Sequence, residues 1–253
     1  MQHTSKIVHK PSVFDPFEFV SAGQSTRHGG VSPAPWATLN LGQSTGDASE
    51  NVTENRRRFC SALGFDEKQM AWSKQVHGDQ VRLVTAPGGA EGFDALVTNV
   101  PGILVAVSVA DCAPILVYDA EHKAVAAIHA GWRGTVAGVV AKTLAFMEAQ
   151  FGSRGAHCFA YVGTCIDVCS FEVGNEVAEA FDEPFKRFDA PRKRYFVDLK
   201  KANAAQCLNF GIPNDQIERS EFSTVLDNAD YFSHRLEQGV TGRMVAAIGL
   251  RAL

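Results

Sequence analysis

Residues 94–128 string together four short apolar runs, 95–98, 103–109, 115–118 and 123–128, rich in β-branched residues and separated by Pro, Gly and charged positions. This is the pattern of short strands, so the fold has to supply a sheet here. Elsewhere the texture changes. Residues 51–63 read as a helix with Gly64 at its stop. Val136, Val140, Leu144, Met147 and Phe151 recur at helical spacing, and with Thr135 as N-cap they predict an apolar stripe on a helix ending near Gly152. Further on, 160–162 and 174–181 continue the mixture, 199–210 reads as a helix stopped by Gly211, and 244–250 as a final strand. Strands and helices interleave without a regular βαβ beat, which predicts an α+β fold rather than a doubly wound sheet. The turn-forming stretches 27–33 and 42–47 are expected to be loops.

A chain of 253 residues, 45% hydrophobic and 21% charged, can bury one sizeable core, and a single domain over 1–253 is expected. Its net charge of -4 provides no broad basic surface, so neither nucleic acid nor an anionic membrane is an expected partner, whereas a small charged metabolite is. Monomer and homodimer both stay open. The N-terminal six residues are polar and lead into Pro11, without the apolar core of a secretory signal. The longest apolar run, 103–110, is broken by Ser108 and too short to span a bilayer. Six cysteines without an export signal point to reduced thiols in the cytoplasm.

The runs 115–118 and 123–128 are separated by a short polar turn. If Asp119 pairs with His122 across two residues, the register extends outward to place Cys112 directly opposite His129. Opposed residues on one face hold their Cβ atoms about 4.5–5.5 Å apart, which suits two ligands of one metal. His77, in the loop Gln75-Val76-His77-Gly78, is the candidate third ligand. Thiolate and imidazole are zinc's preferred donors, and three protein ligands leave a fourth position open for water or substrate. Taken singly, a Cys at a strand end is usually a small buried hydrophobe, and a His beside Gly usually a surface residue. Cys158, Cys165 and Cys169 form a second thiol group whose spacing matches no metal motif, so buried thiols near a strand are expected. His3, His9, His122, His157 and His234 read as surface or satisfied histidines. No two of the eight histidines stand two residues apart, so the His-x-His pairs of a multicopper oxidase are missing and copper is the weaker expectation.

The segments Asp94-Ala95-Leu96-Val97-Thr98, Ala110-Asp111-Cys112-Ala113-Pro114 and His129-Ala130-Gly131-Trp132-Arg133-Gly134-Thr135 strongly resemble one family. It is the YfiH family of purine nucleoside phosphorylases, formerly called polyphenol oxidase or laccase-domain proteins. The likeness extends to residues 26–32, 39–42, 75–78, 171–174 and 241–243, and so to nearly the whole chain. It implies a multilayered α/β sandwich with mixed, largely antiparallel sheets, and a zinc ion on His77, Cys112 and His129. It also implies phosphorolysis of adenosine, inosine, guanosine and S-methyl-5'-thioadenosine, with deamination of adenosine. Asp111 is expected as a general base or a ligand-orienting carboxylate, its alternative being a strand-end cap. Arg27 and Arg133, the latter just before a helix opening, are the expected phosphate contacts, with structural ion pairing as the alternative for each. Asn40 and Gln75 complete the expected substrate contacts, and Trp132 is placed either on a base or in the interior. The sequence departs from the family pattern at Gly163-Thr164 and Ser223-Thr224. A zinc amidase acting on a cell-wall precursor (a UDP-muramoyl amino acid), a copper-dependent phenol oxidoreductase and a non-catalytic binding module are the competing readings.

Overall fold

A computed structural model describes residues 7–252; the polar N-terminal stretch, with His3, lies outside the described residues. Two six-stranded sheets form the centre of the fold. The first runs Val8–His9, Val20–Ser25, Met244–Leu250, Leu104–Val109, Met70–Lys74 and Gly88–Glu91. The second runs Ile217–Arg219, Cys158–Val162, Ala113–Asp119, Ala124–Ala130, Ala95–Thr98 and Val81–Leu83. A small third sheet holds Glu172–Val173, Arg194–Val197 and Lys186–Asp189 in that order. Among the described residues, eight of the twelve strand pairings are antiparallel.

Alternation along the strands sorts the core into layers. Leu116, Tyr118, Val125 and Ala127 of the second sheet meet Ala22, Val105, Val107 and Ile248 of the first. On the opposite face, Ile115, Val117, Ala126 and Ile128 are covered by Val140, Leu144 and Met147 and by Ala202 and Cys207. Those residues come from α3 (Val139–Phe151) and α5 (Leu199–Asn209), the third and fifth of five helices whose others are α1 (Ser49–Ala62), α2 (Trp132–Val136) and α4 (Asn175–Glu179). Phe59 and Cys60 of α1 close the outer face of the first sheet against Leu104, Ala106, Val245 and Ala247. The result is the expected multilayered α+β sandwich. Because both faces of each central strand are covered, every residue of Ala113–Asp119 and Ala124–Ala130 is buried, and the strands read as continuous apolar runs. No helix among the described residues is long and apolar enough to cross a membrane.

Two local expectations are corrected. Asp119 pairs with Ala124, not His122, and the connecting loop holds four residues, with Lys123 at φ 51° and the Asp119 carboxylate accepting the N–H groups of Glu121 and His122. His129 therefore lies opposite Pro114. The slip is two residues, an even number, so Cys112 and His129 keep the same face of the sheet. The helix expected from Thr135 to Gly152 is interrupted: α2 already begins at Trp132, and Gly138 at φ 77° breaks the chain before α3. Thr135 is a buried residue within α2 instead of an N-cap, and Val136 falls off the apolar stripe at 44% exposure.

Candidate metal centre and cleft

The three candidate ligands arrive from different parts of the sandwich. His77 follows Met70–Lys74 of the first sheet, Cys112 sits in the crossing from Leu104–Val109 to the second sheet, and His129 lies near the end of Ala124–Ala130. The structure brings them together: their ligand atoms lie within 4.8 Å of one another, and the His77 and His129 rings meet at 82° with centroids 4.8 Å apart. In a tetrahedral zinc site with bonds of about 2.0–2.3 Å, ligand atoms stand about 3.3–3.7 Å apart, so this donor set fits an ion after a small contraction. His129 is 3% exposed while His77 is open to solvent, leaving the centre reachable from one side.

Asp94, fully buried, organises this arrangement. Its Oδ1 accepts from the His77 N–H (3.0 Å) and pairs with His129 Nδ1 (2.7 Å), while Oδ2 accepts from the N–H groups of Gly78 (2.8 Å) and Val76 (3.2 Å). One carboxylate thus fixes the His129 ring with Nε2 turned to the centre and cradles the backbone that presents His77, which sits at φ 59°. Burial pushes the Asp94 carboxyl up, but His129 and the Gly78 and Val76 N–H groups outweigh it and hold the carboxyl below the ordinary carboxylate value. At Cys112, burial likewise pushes the thiol up. The charge and hydrogen bond of His129, with the His77 hydrogen bond, overcome that and hold it below the ordinary thiol value. His129 is lifted in return to about 9, because Cys112 and Asp94 outweigh the effect of burial.

Glycines make room for the centre. A Cβ on Gly131 would stand 3.0 Å from Cys112 Sγ and 3.2 Å from His77 Cδ2, and one on Gly134 would meet the Gly78 carbonyl at 2.9 Å. The His-Ala-Gly-Trp-Arg-Gly stretch therefore carries a ligand, a clearance beside it and a close helix contact in succession.

The centre opens onto a cleft of about 910 Å3 whose lining includes Gln75, Asp111, Phe171, Arg56, Arg235 and Arg243. Gln75 exchanges two hydrogen bonds with the Ser108 backbone, at 2.8 and 2.7 Å, and so ties the His77 loop to the neighbouring strand. Asp111, at φ 82°, accepts from Thr224 Oγ1 and the Arg235 N–H, both at 2.6 Å, and thereby fastens residues 224–235 beside Cys112. The other sequence candidates are placed elsewhere. Arg27 donates to the carbonyls of Ala37 and Asn228, pairs with Glu237 at 3.1 Å and stacks over Phe232; it does not line the cleft. Arg133 is exposed, lies over the Trp132 ring 4.3 Å from its centroid, and is also outside the cleft lining. It sits within α2, not ahead of a helix start. Asn40 is fully buried, accepting from the Gly42 and Arg243 N–H groups and donating to Thr45 and Asp47, so it shapes the 40–47 loop.

Among the remaining candidates, Cys158 and Cys165 are buried and Cys169 exposed. Burial drives the Cys158 and Cys165 thiols up to about 12, and among the described residues they join no metal-binding group. His122 and His157 pair with Asp119 and Glu121. His234, expected as a surface or satisfied histidine, is exposed and lines the cleft beside Arg243. Thr164 of the first departure from the family pattern is anchored by Gln24, and Thr224 of the second holds Asp111. Sequence reasoning left Asp94, Arg56 and Arg243 without a role. The available signal was an acidic residue opening a wholly apolar strand, which burial alone would forbid.

Fold and site together define an α+β sandwich in which His77, Cys112 and His129 converge as a group that could hold a metal ion. Residues 21–251 match the family model described as multi-copper polyphenol oxidoreductase laccase, and the chain belongs to that laccase-domain family, which includes YfiH. It is 42% identical over 228 residues to a protein of Deinococcus radiodurans named purine nucleoside phosphorylase, covering 89% of this chain and 87% of that one. It is 37% identical over 236 residues to purine nucleoside phosphorylase YfiH of Escherichia coli, covering 91% and 94%. The crystal structure of YlmD from Geobacillus stearothermophilus superposes with a TM-score of 0.92 at 33% identity, covering 99% of this chain and 98% of that one.

Proposed function

We propose that this chain is a zinc-dependent purine nucleoside phosphorylase acting on adenosine, inosine, guanosine and S-methyl-5'-thioadenosine, with adenosine deaminase activity. The observation that carries the reading is the convergence of His77, Cys112 and His129 in an open cleft of about 910 Å3, in a chain whose relatives bear the phosphorylase name. The inter-sheet core, to which both large sheets contribute, supports treating the chain as one domain.

His77, Cys112 and His129 would hold the ion. Bound there, zinc supplies Lewis acidity and lowers the pKa of water toward about 7. Zinc is favoured over copper on the donors. Among the described residues no second group of converging ligands would serve further copper ions.

The chain's own residues supply orientation. Asp94 keeps Nε2 of His129 aimed at the centre. Asp111 acts as a positioning residue, since both its oxygens are engaged in holding the 224–235 wall. Phe171 offers an apolar surface in the cleft for a purine face. In phosphorolysis a phosphate oxygen bonds to C1′ as the bond from C1′ to N9 breaks. The electron pair leaves with the purine, which takes up the proton that the phosphate gives up, and the sugar departs as its 1-phosphate, ribose 1-phosphate or, from S-methyl-5'-thioadenosine, 5-methylthioribose 1-phosphate. A cationic cleft favours that reaction by holding the anionic nucleophile.

The test is to incubate zinc-loaded, folded protein with each nucleoside, with and without phosphate. Chromatography follows free base, ribose 1-phosphate and inosine. Phosphate-dependent release of base is expected, with inosine and ammonia from adenosine alone. A preparation that yields no free base from any of the four nucleosides refutes the phosphorylase reading. Metal analysis after purification without added metal is expected to find one zinc per chain.

A further inference from the structure

We propose that Arg56 and Arg243 form a subsite for inorganic phosphate on the wall of the cleft, beside the metal centre. The assignment to free phosphate rests on the phosphorylase reading; the presence of an oxyanion subsite does not.

Arg56 is 6% exposed, yet its guanidinium has a single hydrogen bond among the described residues, from Nε to the Leu41 carbonyl at 3.1 Å. It takes part in none of the ion pairs among those residues. Its plane lies over Trp72, 5.2 Å from the ring centroid, and that indole is backed by Gly89, where any Cβ would come within 2.7 Å of the ring. The terminal amino groups therefore face the cleft with their donors unspent. A nearly buried guanidinium with no carboxylate in ion-pair contact among the described residues is costly, and burial pushes Arg56 below its ordinary value although the nearby Glu67 acts the other way. A protein retains such a group where a ligand completes it.

Arg243 is half-buried in the same lining and likewise free of carboxylate pairing. Its Nη1 donates to the carbonyls of Thr241 and Gly242, and its Nη2 stands 3.4 Å from His234 Nδ1. One short segment braces both arginines. The Leu41 N–H donates to the Arg243 carbonyl, the Leu41 carbonyl receives Arg56 Nε, and the Asn40 side chain accepts the Arg243 N–H. Gly42 lets this segment lie against the Arg243 stem, since a Cβ there would approach Arg243 Cγ to 2.6 Å.

The charges in the cleft do not cancel. Arg56, Lys74, Arg235 and Arg243 line it against two carboxylates, in a chain whose net charge is -4. Lys74 has Glu91 at 3.9 Å, and both oxygens of Asp111 are already engaged. What is left over is the free terminal fork of Arg56 and the charge and remaining N–H donors of Arg243, which together match the oxygens of a tetrahedral dianion. Neither Arg27, held by Glu237, nor the exposed Arg133 offers this.

Calorimetric titration of the intact protein with inorganic phosphate tests the subsite without any turnover. Arg56→Met and Arg243→Met preserve the apolar stems, and each is expected to weaken phosphate binding about ten- to a hundredfold. Arg56→Lys should recover only part of the loss at Arg56, because an ammonium lacks the fork. Thermal melts of each variant establish folding. In steady-state assays the KM for phosphate should rise by the same factor, while the KM for nucleoside moves by less than about threefold. The inference is overturned if wild-type protein binds no phosphate, if folded Arg56→Met binds it as wild type does, or if Arg133→Met alone abolishes binding. Arginine-dependent phosphate binding by a protein that cleaves no nucleoside would keep the subsite and dismiss the phosphorylase reading.

Discussion

Asp94→Asn replaces one oxygen of the carboxylate that organises the centre by an amide nitrogen, with almost no change in volume. The carboxylate accepts four hydrogen bonds, two on each oxygen. In either orientation the asparagine keeps two and turns its NH2 toward two donors. With the amide nitrogen on the Oδ2 side, the Gly78 and Val76 N–H groups are orphaned and the loop presenting His77 loosens. On the Oδ1 side, the His77 N–H is orphaned and His129 is driven toward the tautomer that carries its proton on Nε2, where the metal should bind. Each buried unsatisfied group costs about 1–3 kcal/mol, so the substitution should destabilise the protein by about 2–6 kcal/mol. In a chain of this size each kcal/mol lowers Tm by roughly 2–4 °C. Loss of such a supporting partner also weakens metal affinity by about 10- to 100-fold. Competition with a chromophoric chelator measures the affinity, and a thermal melt the stability. A folded Asp94→Asn protein with wild-type metal affinity and wild-type kcat/KM would refute the role assigned to this carboxylate.

Cys112→Ala should lose most bound metal and all turnover, whereas Cys169→Ala, at an exposed thiol, should keep both; metal analysis of the purified variants decides. Gly131→Ala is permitted by its backbone angles but places a methyl 3.0 Å from Cys112 Sγ, so metal affinity should fall at least tenfold for a stability cost of about 1–3 kcal/mol, read by chelator competition and melting. For Glu237, burial raises the carboxyl, but the Thr241 hydroxyl, the Ser233 N–H and Arg27 hold it below its ordinary value of 4.5. The folded chain then binds fewer protons than the unfolded one, so this stabilisation is complete above pH 4.5 and fades as pH falls through the folded value. Denaturant titrations from pH 6 downward should show Glu237→Gln less stable at pH 6 but less acid-sensitive than wild type, and parallel pH curves would count against it.

The strands were legible because burial on both faces leaves an unbroken apolar signature: the expected runs 95–98, 103–109, 115–118 and 244–250 each fall within a residue or two of an observed strand. The convergence of His77, Cys112 and His129 was legible through the two opposed strands and the family likeness. The register was not, since it depended on counting a loop whose Asx turn and left-handed Lys123 make four residues behave as a tight connection. Apolar spacing alone also carried the stripe through Gly138, where a left-handed residue ends α2. Arg56 and Arg243 stayed hidden for another reason. Their roles arise where the 40–47 loop, α1 and the start of the last strand cross, and no local pattern reports a contact between residues about two hundred positions apart.

Two of the three candidate ligands, His77 and Cys112, sit in crossings between the two large sheets, and the third, His129, lies on a strand of the second. An ion gripped by all three is a rivet through the open rim of the sandwich. Its loss would unpin the rim where the two halves meet as well as silence the chemistry, and melting temperature should therefore track occupancy of the centre.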